Sequence, residues 1–306
     1  MIQDAPKVSI GLPVFNGENY LAEAIESILG QTYQNFECII TDNASTDKTE
    51  EICRAYAEAD ERIRYFRNEH NLGAAPNFNK SFDLSSGKYF KWAAHDDTMA
   101  PTFVEKCVEV LETQSDVVLC YPGTSVINSE GIVTKEYAFS GRTNSADLPQ
   151  RFAALLLSSD MCYEIFGLIR TDVLAKTSLM GNFGHGDGVL LARLCLNGRF
   201  HEIPEHLLFV RSHDDQSMAI YKGTDKHGRP DYYSYTDWFD SSKKGKLVLP
   251  NWKMLYEFAK TPWQVSLNLT DRAYCHFHLA RWGKRHWRYL VGDINYAARY
   301  FLNHRN

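Results

Sequence analysis

Gly87-Lys88-Tyr89-Phe90-Lys91-Trp92-Ala93-Ala94-His95-Asp96-Asp97 decides how the first third of this chain is read. Tyr89 to Ala94 is rich in aromatic residues and reads as a strand that stops on two adjacent carboxylates. Pro101 then suits the first turn of a helix ending near Thr113. Carboxylates at a strand end can hold a divalent cation against a phosphate, because hard cations take oxygen ligands. Taken alone, Asp-Asp fits a solvated turn equally well.

The segments around it supply a context. Val8 to Phe15 reads as a buried strand, and residues 19–30 as a helix with Leu21, Ala24, Ile25, Ile28 and Leu29 on one face. Phe36 to Thr41 and Ile63 to Phe66 are further strands. Asp47-Lys48-Thr49-Glu50 has the form of a capping box opening a helix to about Ala59. Residues 74–85 form the next helix, and Asp116 to Tyr121 a fifth strand. Strands separated by helices imply βαβ units, hence an α/β fold whose mostly parallel central sheet carries helices on both faces. Ligands of such sheets bind outside the carboxyl ends of the strands. Pro13-Val14-Phe15-Asn16, Asp42-Asn43-Ala44-Ser45 and His95-Asp96-Asp97 should therefore gather on one edge.

Beyond residue 121 the pattern is mixed. A hairpin is expected around Asn128-Ser129-Glu130-Gly131, a helix over 147–158, and a strand from Glu164 to Arg170. The glycine-rich loop 182–188 opens onto a helix from Val189 to Leu196, followed by strands Phe200–Ile203 and Leu207–Arg211. Residues 1–215 are expected to form the main domain, 216–250 a mobile loop or lid, and 251–306 a helical C-terminal extension.

The bulk properties exclude several classes. The chain has 306 residues, 44% hydrophobic and 23% charged, and a formal net charge of −5. That charge disfavours a nucleic-acid partner. Seven cysteines without a C-x-x-C pair suggest buried thiols in a reducing compartment. No signal peptide and no spanning segment is legible, so a cytoplasmic protein is expected, or one peripheral at the inner face of the membrane. No G-x-G-x-x-G follows the first strand, against a dinucleotide-dependent oxidoreductase.

Val8-Ser9-Ile10-Gly11-Leu12-Pro13-Val14-Phe15-Asn16, Ser27-Ile28-Leu29-Gly30-Gln31-Thr32-Tyr33, Asp42-Asn43-Ala44-Ser45-Thr46-Asp47, Asn71-Leu72-Gly73 and His95-Asp96-Asp97 together resemble family 2 glycosyltransferases. The resemblance implies the Rossmann-like GT-A fold and a metal-dependent, inverting transfer from a nucleotide-diphosphate sugar to an acceptor hydroxyl. The acceptor would be a carbohydrate or a lipid-linked molecule, as in bacterial polysaccharide or glycoconjugate synthesis. Pro13, Phe15, Asn16, Asn43 and Asn71 would lie against the donor. Asp42 would accept from a pyrimidine imide N–H, favouring a UDP-sugar, with a dTDP-sugar next. Asp96 would meet the ribose or the cation and Asp97 the cation, which is Mn²⁺ or Mg²⁺.

Three departures from the family pattern shape the expectations. Ala94 stands where many relatives carry a further Asp, which turns attention to His213, and secondarily His95, as a metal ligand. Gly186 replaces the usual Glu before the base, which the resemblance places at Asp187, with His185 as a fallback. An aspartate there also suits a helix N-cap. No basic residue lies in 73–77, so Arg211 or Lys222 is expected to supply positive charge to the donor. The basic, aromatic stretch 271–305 suits a packed helical pair, a homodimer or a peripheral membrane contact. The competing readings are a metal-dependent phosphohydrolase, built from the His/Asp groupings at 95–96, 185–187 and 213–214, and a catalytically inactive nucleotide-sugar-binding protein.

Overall fold

Seven consecutive buried residues make β1 (Val8–Val14) a central strand of the sheet. The computed structural model describes residues 6–137, 141–157, 161–214, 216, 232–244 and 246–303. Helix α1 (Leu21–Leu29) leads to β2 (Phe36–Asp42), α2 (Thr49–Ala59) to β3 (Ile63–Arg67), and α3 (Ala74–Asp83) to β4 (Tyr89–Trp92). These four strands run parallel in the order β3-β2-β1-β4. At Gly11 an added Cβ would fall 2.3 Å from Ser81 Oγ, so α3 packs directly on the strand backbone there. Pairing of β1 with β4 ends at Gly11↔Trp92, whereas pairing with β2 continues to Val14↔Asp42. Pro13 thus lies past the last β4 rung, where its missing N–H breaks no ladder bond.

The rest of the sheet is mixed. After β5 (Thr98–Met99) and α4 (Phe103–Thr113) come β6 (Val117–Ile127), β7 (Val133–Tyr137) and α5 (Leu148–Leu157). Then follow β8 (Leu168–Arg170), α6 (Thr171–Leu174), α7 (Gly186–Asn197) and β9 (Arg199–Arg211). β8 is antiparallel to both β4 and β6, while β6 and β9 are parallel. The expected hairpin forms between β6 and β7. One apolar core lies under α1 and α4, and a second lies under α5 and α7 on the other face. Helices α8 (Tyr232–Phe239), α9 (Pro250–Lys260) and α10 (Leu269–Asn303) complete the described chain. Met254, Phe258, Cys275, Leu279 and Trp282 join the second core, so α9 and α10 pack into the main body. Of the segment expected as a lid, residues 217–231 lie outside the described residues, and α8 packs against α3.

Several local expectations are corrected. Glu164 to Arg170 is a 3-10 turn, Tyr163–Phe166, followed by the short β8. A short apolar run does not distinguish the two by periodicity. The strands at 200–203 and 207–211 are one strand, with register shifts opposite Pro122–Thr124 that accommodate Pro204. Helix α7 starts at Gly186, inside the expected loop, because Gly186 packs on the Gly181 backbone. The capping box at Asp47 does not close. Asp47 accepts from the N–H groups of Thr49 and Glu18, while Glu50 pairs with Arg54 and Arg67.

Lys91 is fully buried in β4, donating to Trp92 O at 3.0 Å with its ammonium 4.7 Å from the Phe103 ring centroid. Burial depresses its pKa to about 8. The folded state then binds fewer protons at Lys91 than the unfolded state between about pH 8 and 10, so stability rises through that window. The rise is worth up to roughly 3 kcal/mol. Cys38, pushed up to about 12 by burial, acts in the opposite sense at alkaline pH. The difference between variants is therefore the informative quantity. In urea melts, the stability of the wild type relative to Lys91→Met should climb from pH 8 to 10, and a constant difference would show that Lys91 titrates normally.

Candidate active site

The carboxyl ends of β1, β2 and β4 face one cleft of ≈ 1680 Å³. That exceeds the roughly 300–1,000 Å³ of a pocket for one small ligand, and leaves room for two reactants. The loops after β1 and β2 clasp one another. Asn16, in the left-handed region at φ +51°, donates its N–H to Ser45 Oγ and accepts the Thr46 N–H on Oδ1, both at 2.9 Å. Gly17 donates to Thr49 Oγ1 at 2.9 Å. This clasp holds Phe15 on the cleft wall with 44% of its surface exposed, which marks a contact residue and not a core one.

An amide network builds the next wall. Asn43 donates to Asn71 Oδ1 and Gly73 O, and accepts from Asn68 Nδ2 and the Leu72 N–H. Asn68 also donates to Asn77 Oδ1, and Asn77 donates to Thr41 O. Asn43 and Asn71, expected from the sequence, line the cleft, as does Asn77, which was not foreseen. The recurrence of Asn at 68, 71 and 77 was the signal available. Asp42 is placed differently. It is fully buried behind the cleft, and its carboxylate accepts from the Ser45 N–H, the Tyr65 hydroxyl and Arg67.

Asp96 and Asp97 are both 8% exposed and border the cleft. Asp97 Oδ1 accepts the backbone N–H of Arg211 at 2.9 Å, and Asp96 Oδ2 lies 3.1 Å from His213 Nε2. The His213 ring rests against Tyr20, with centroids 4.9 Å apart. Burial and then the charge of Asp96 push the Asp97 carboxyl well above the usual carboxylate range. Two adjacent buried carboxylates with an imidazole beside them are a donor set suited to a divalent ion such as Mn²⁺ or Mg²⁺. Asp96, Asp97 and His213 are the residues that would hold it. His95 also lines the cleft.

Arg211 lines the cleft, but its side chain is already engaged by protein acceptors. Its side chain is 1% exposed and bonds Asp96 O, Asn128 O, Ser129 O and Glu23 Oε2, with its guanidinium 4.5 Å from the Tyr20 ring centroid. It is a strut inside the protein. Lys222 lies outside the described residues. Among the described residues, Lys135, Lys244 and Arg285 bring positive charge to the cleft. Arg285 went unnoticed as a site residue because the helix bearing it is distant in sequence.

Asp187 sits in the first turn of α7 and lines the same cleft, half-buried. The N-cap position belongs to His185, in a left-handed conformation at φ +68°. The Asp187 carboxylate accepts the Gly188 N–H at 2.8 Å and lies 3.9 Å from His185 Nδ1. Helix α10 closes this side with Trp282 stacked on His286, centroids 4.4 Å apart. The structure thus brings Pro13, Phe15, Asn16, Asn43, Asn71, Asp96, Asp97, Asp187 and His213 to one cleft, and leaves Asp42 just behind it.

A family model described as Glycosyl transferase family 2 matches residues 9–176. A protein of Rickettsia typhi named as an uncharacterized glycosyltransferase is 39% identical over 127 residues, 41% of this chain and 39% of that one. Another so named, from Haemophilus influenzae, is 27% identical over 225 residues, 72% of this chain and 70% of that one. This chain therefore spans well under half of the Rickettsia relative. The structure of S. aureus TarS 1-349 in complex with UDP superposes with a TM-score of 0.64 at 16% identity, covering 92% of this chain and 72% of that one. That likeness is one of fold.

The strut role of Arg211 has a measurable consequence. Arg211→Met should lower stability by roughly 1–3 kcal/mol, because it removes the donor shared by three carbonyls, whereas Glu23, 55% exposed, stays solvated. Arg211→Lys should restore little of that, since an ammonium lacks the guanidinium fork. An Arg211→Met protein of unchanged stability in urea but weakened affinity for an anionic ligand would return Arg211 to the binding surface.

Proposed function

Because the chain belongs to glycosyl transferase family 2 and has the GT-A fold, we propose that it moves a glycosyl unit from a nucleoside diphosphate sugar to an acceptor hydroxyl with inversion. The observation that carries the reading is the meeting of a buried carboxylate pair, Asp96 and Asp97, with Asp187 in one two-reactant cleft. The donor base lies between Phe15, Pro13 and the Asn43–Asn71 wall. Asp42 meets the imide N–H of the base by exchanging its Tyr65 or Arg67 contact for the ligand's, which favours uracil or thymine over cytosine, a UDP-sugar being placed first and a dTDP-sugar next. The UDP complex of the TarS fragment is consistent with this donor class.

Asp96, Asp97 and His213 would hold a divalent cation, which when bound would supply positive charge for the departing diphosphate. Asp187 takes the proton of the acceptor hydroxyl. That oxygen attacks the anomeric carbon from the face opposite the diphosphate. One C–O bond forms as the other breaks, and the configuration inverts. Lys135, Lys244 and Arg285 add positive charge for the donor or an anionic acceptor. Because none of the seven cysteines is in a disulfide, a cytoplasmic setting suits the reading.

A thermal-shift series tests the assignment. UDP should raise the melting temperature only with Mn²⁺ or Mg²⁺ present, and Asp97→Asn should abolish the shift. Asp187→Asn should keep the shift and lower transfer at least a hundredfold, as loss of a general base does. Transfer surviving in Asp187→Asn would move the base elsewhere. Rapid donor hydrolysis that no acceptor alters would favour a phosphohydrolase, and UDP binding with no turnover a binding protein.

No helix among the described residues is long and apolar enough to cross a membrane. We infer that α10 instead lies on an anionic membrane surface. Cys275, Leu279, Trp282 and Leu290 bury one face, and Leu269, Phe277, Trp287, Val291, Ile294 and Leu302 expose another. These six fall within about 100° of arc at 3.6 residues per turn, with Phe301 at its edge and the exposed Tyr274 and Tyr296 outside it. The helix carries Arg272, Arg281, Lys284, Arg285, Arg288 and Arg299 against Asp271 and Asp293, in a chain of net charge −5. Self-pairing of two such helices would bring like charges together, whereas anionic headgroups complement them. The protein should float with vesicles of phosphatidylglycerol and phosphatidylcholine at low salt, and Trp287→Glu with Ile294→Glu should abolish flotation. Wild-type protein that stays at the bottom of the gradient, or self-associates through this face, removes the membrane contact.

A further inference from the structure

A second group of ligand atoms lies in the cleft wall, distinct from the Asp96–Asp97 pair. One donor atom each of Cys162, His185 and Asp187 lie within 4.8 Å of one another. Cys162 immediately precedes the 3-10 turn Tyr163–Phe166, and His185 and Asp187 bracket the start of α7. Two structural segments far apart in sequence therefore converge on this point. Their backbones carry a common mark. Cys162, at φ +59°, and His185, at φ +68°, both occupy the left-handed region that non-glycine residues seldom adopt. Such conformations cost of order 1–3 kcal/mol each and concentrate at ligand clamps and reactive sites.

The imidazole is also seated. An added Cβ at Gly188 would fall 2.2 Å from His185 Nε2, so the glycine leaves the hollow in which the ring lies. The His185 side chain makes no capping bond to α7. The three donors are a thiol, an imidazole and a carboxylate. Hard Mg²⁺ selects oxygen ligands, whereas Zn²⁺ takes sulfur, nitrogen and oxygen together in a tetrahedron. Zn–ligand distances of ~2.0–2.3 Å require the donors to close by about 1 Å, within reach of small side-chain rotations. The fourth position would face the cleft, open to water or a reactant.

We propose that Cys162, His185 and Asp187 form a binding site for Zn²⁺ or a metal of similar softness, and that its occupation silences transfer by taking the Asp187 carboxylate. Binding displaces the thiol proton to solvent and joins the thiolate, imidazole and carboxylate to the ion with no change of oxidation state. A carboxylate held on the metal no longer accepts the acceptor proton. This second half rests on Asp187 being the base; the metal site itself does not.

Co²⁺ titration of the metal-stripped full chain tests the site directly. A thiolate-to-cobalt charge-transfer band should appear in the near ultraviolet and be erased by stoichiometric Zn²⁺. Cys162→Ser should lose the band, and His185→Gln should weaken Co²⁺ binding about tenfold or more. Circular dichroism melts establish that both variants fold, and Cys162→Ala replaces the serine variant if it does not. Absence of the band, or its persistence without Cys162, overturns the site. In transfer assays with Mn²⁺ in excess, Zn²⁺ should inhibit the wild type and not Cys162→Ser. Inhibition that persists in Cys162→Ser places the effect elsewhere and overturns the silencing. A Cys162-dependent band without inhibition also overturns the silencing, and directs the failure to the role of Asp187.

Discussion

The anchoring of two neighbouring acids by the end of β9 is the contact on which the cleft depends. Asp96 and Asp97 are adjacent and buried, and burial together with the charge of Asp96 disfavours ionisation of Asp97. The Arg211 N–H fixes one, His213 stands against the other, and the Arg211 guanidinium reaches the Asp96 carbonyl, Glu23 of α1 and the turn between β6 and β7. One side chain thus fixes four separate pieces of chain around the carboxylates. The cost of burying its charge is offset by the number of acceptors it satisfies.

The sheet opens where this contact closes. β1 and β4 separate after Gly11↔Trp92, and on the β2 side the cleft is walled by the clasp of Asn16 with Ser45 and Thr46 and by the amides of Asn43, Asn68, Asn71 and Asn77. Amides serve well here because each is both donor and acceptor, and Lys80 donates to Asn68 Oδ1 behind them. The cations face the cleft from other elements, Lys135 on β7 and Arg285 on α10.

The parallel half of the sheet was legible because each strand there is a short apolar run followed by a helix with one apolar face. The β1, β2 and β4 ends followed from topology alone, and with them Asn16, Asn43, Asp96 and Asp97. The family resemblance, not the pattern, located Asp187 and His213. What stayed illegible has physical causes. Arg211 reads as an available cation until its acceptors are known, and these come from residues 23, 96, 128 and 129. Asp42 reads as an open carboxylate, whereas Tyr65 and Arg67 close over it, so a ligand reaches it only by exchanging one of those contacts. Periodicity could not separate the turn at Tyr163–Phe166 from a strand, and no local signal marks Trp282 or Arg285 as belonging to a cleft built over a hundred residues earlier.

Helix α10 is both keel and bulwark. Its Cys275, Leu279 and Trp282 are built into the same oily interior as α5 and α7, while Trp282, Arg285 and His286 look into the reaction space. A shift in how this long rod beds down would be felt at once by whatever enters beside Asp187. The cleft beside Asp187 is therefore finished by side chains that the chain supplies only in its last long helix.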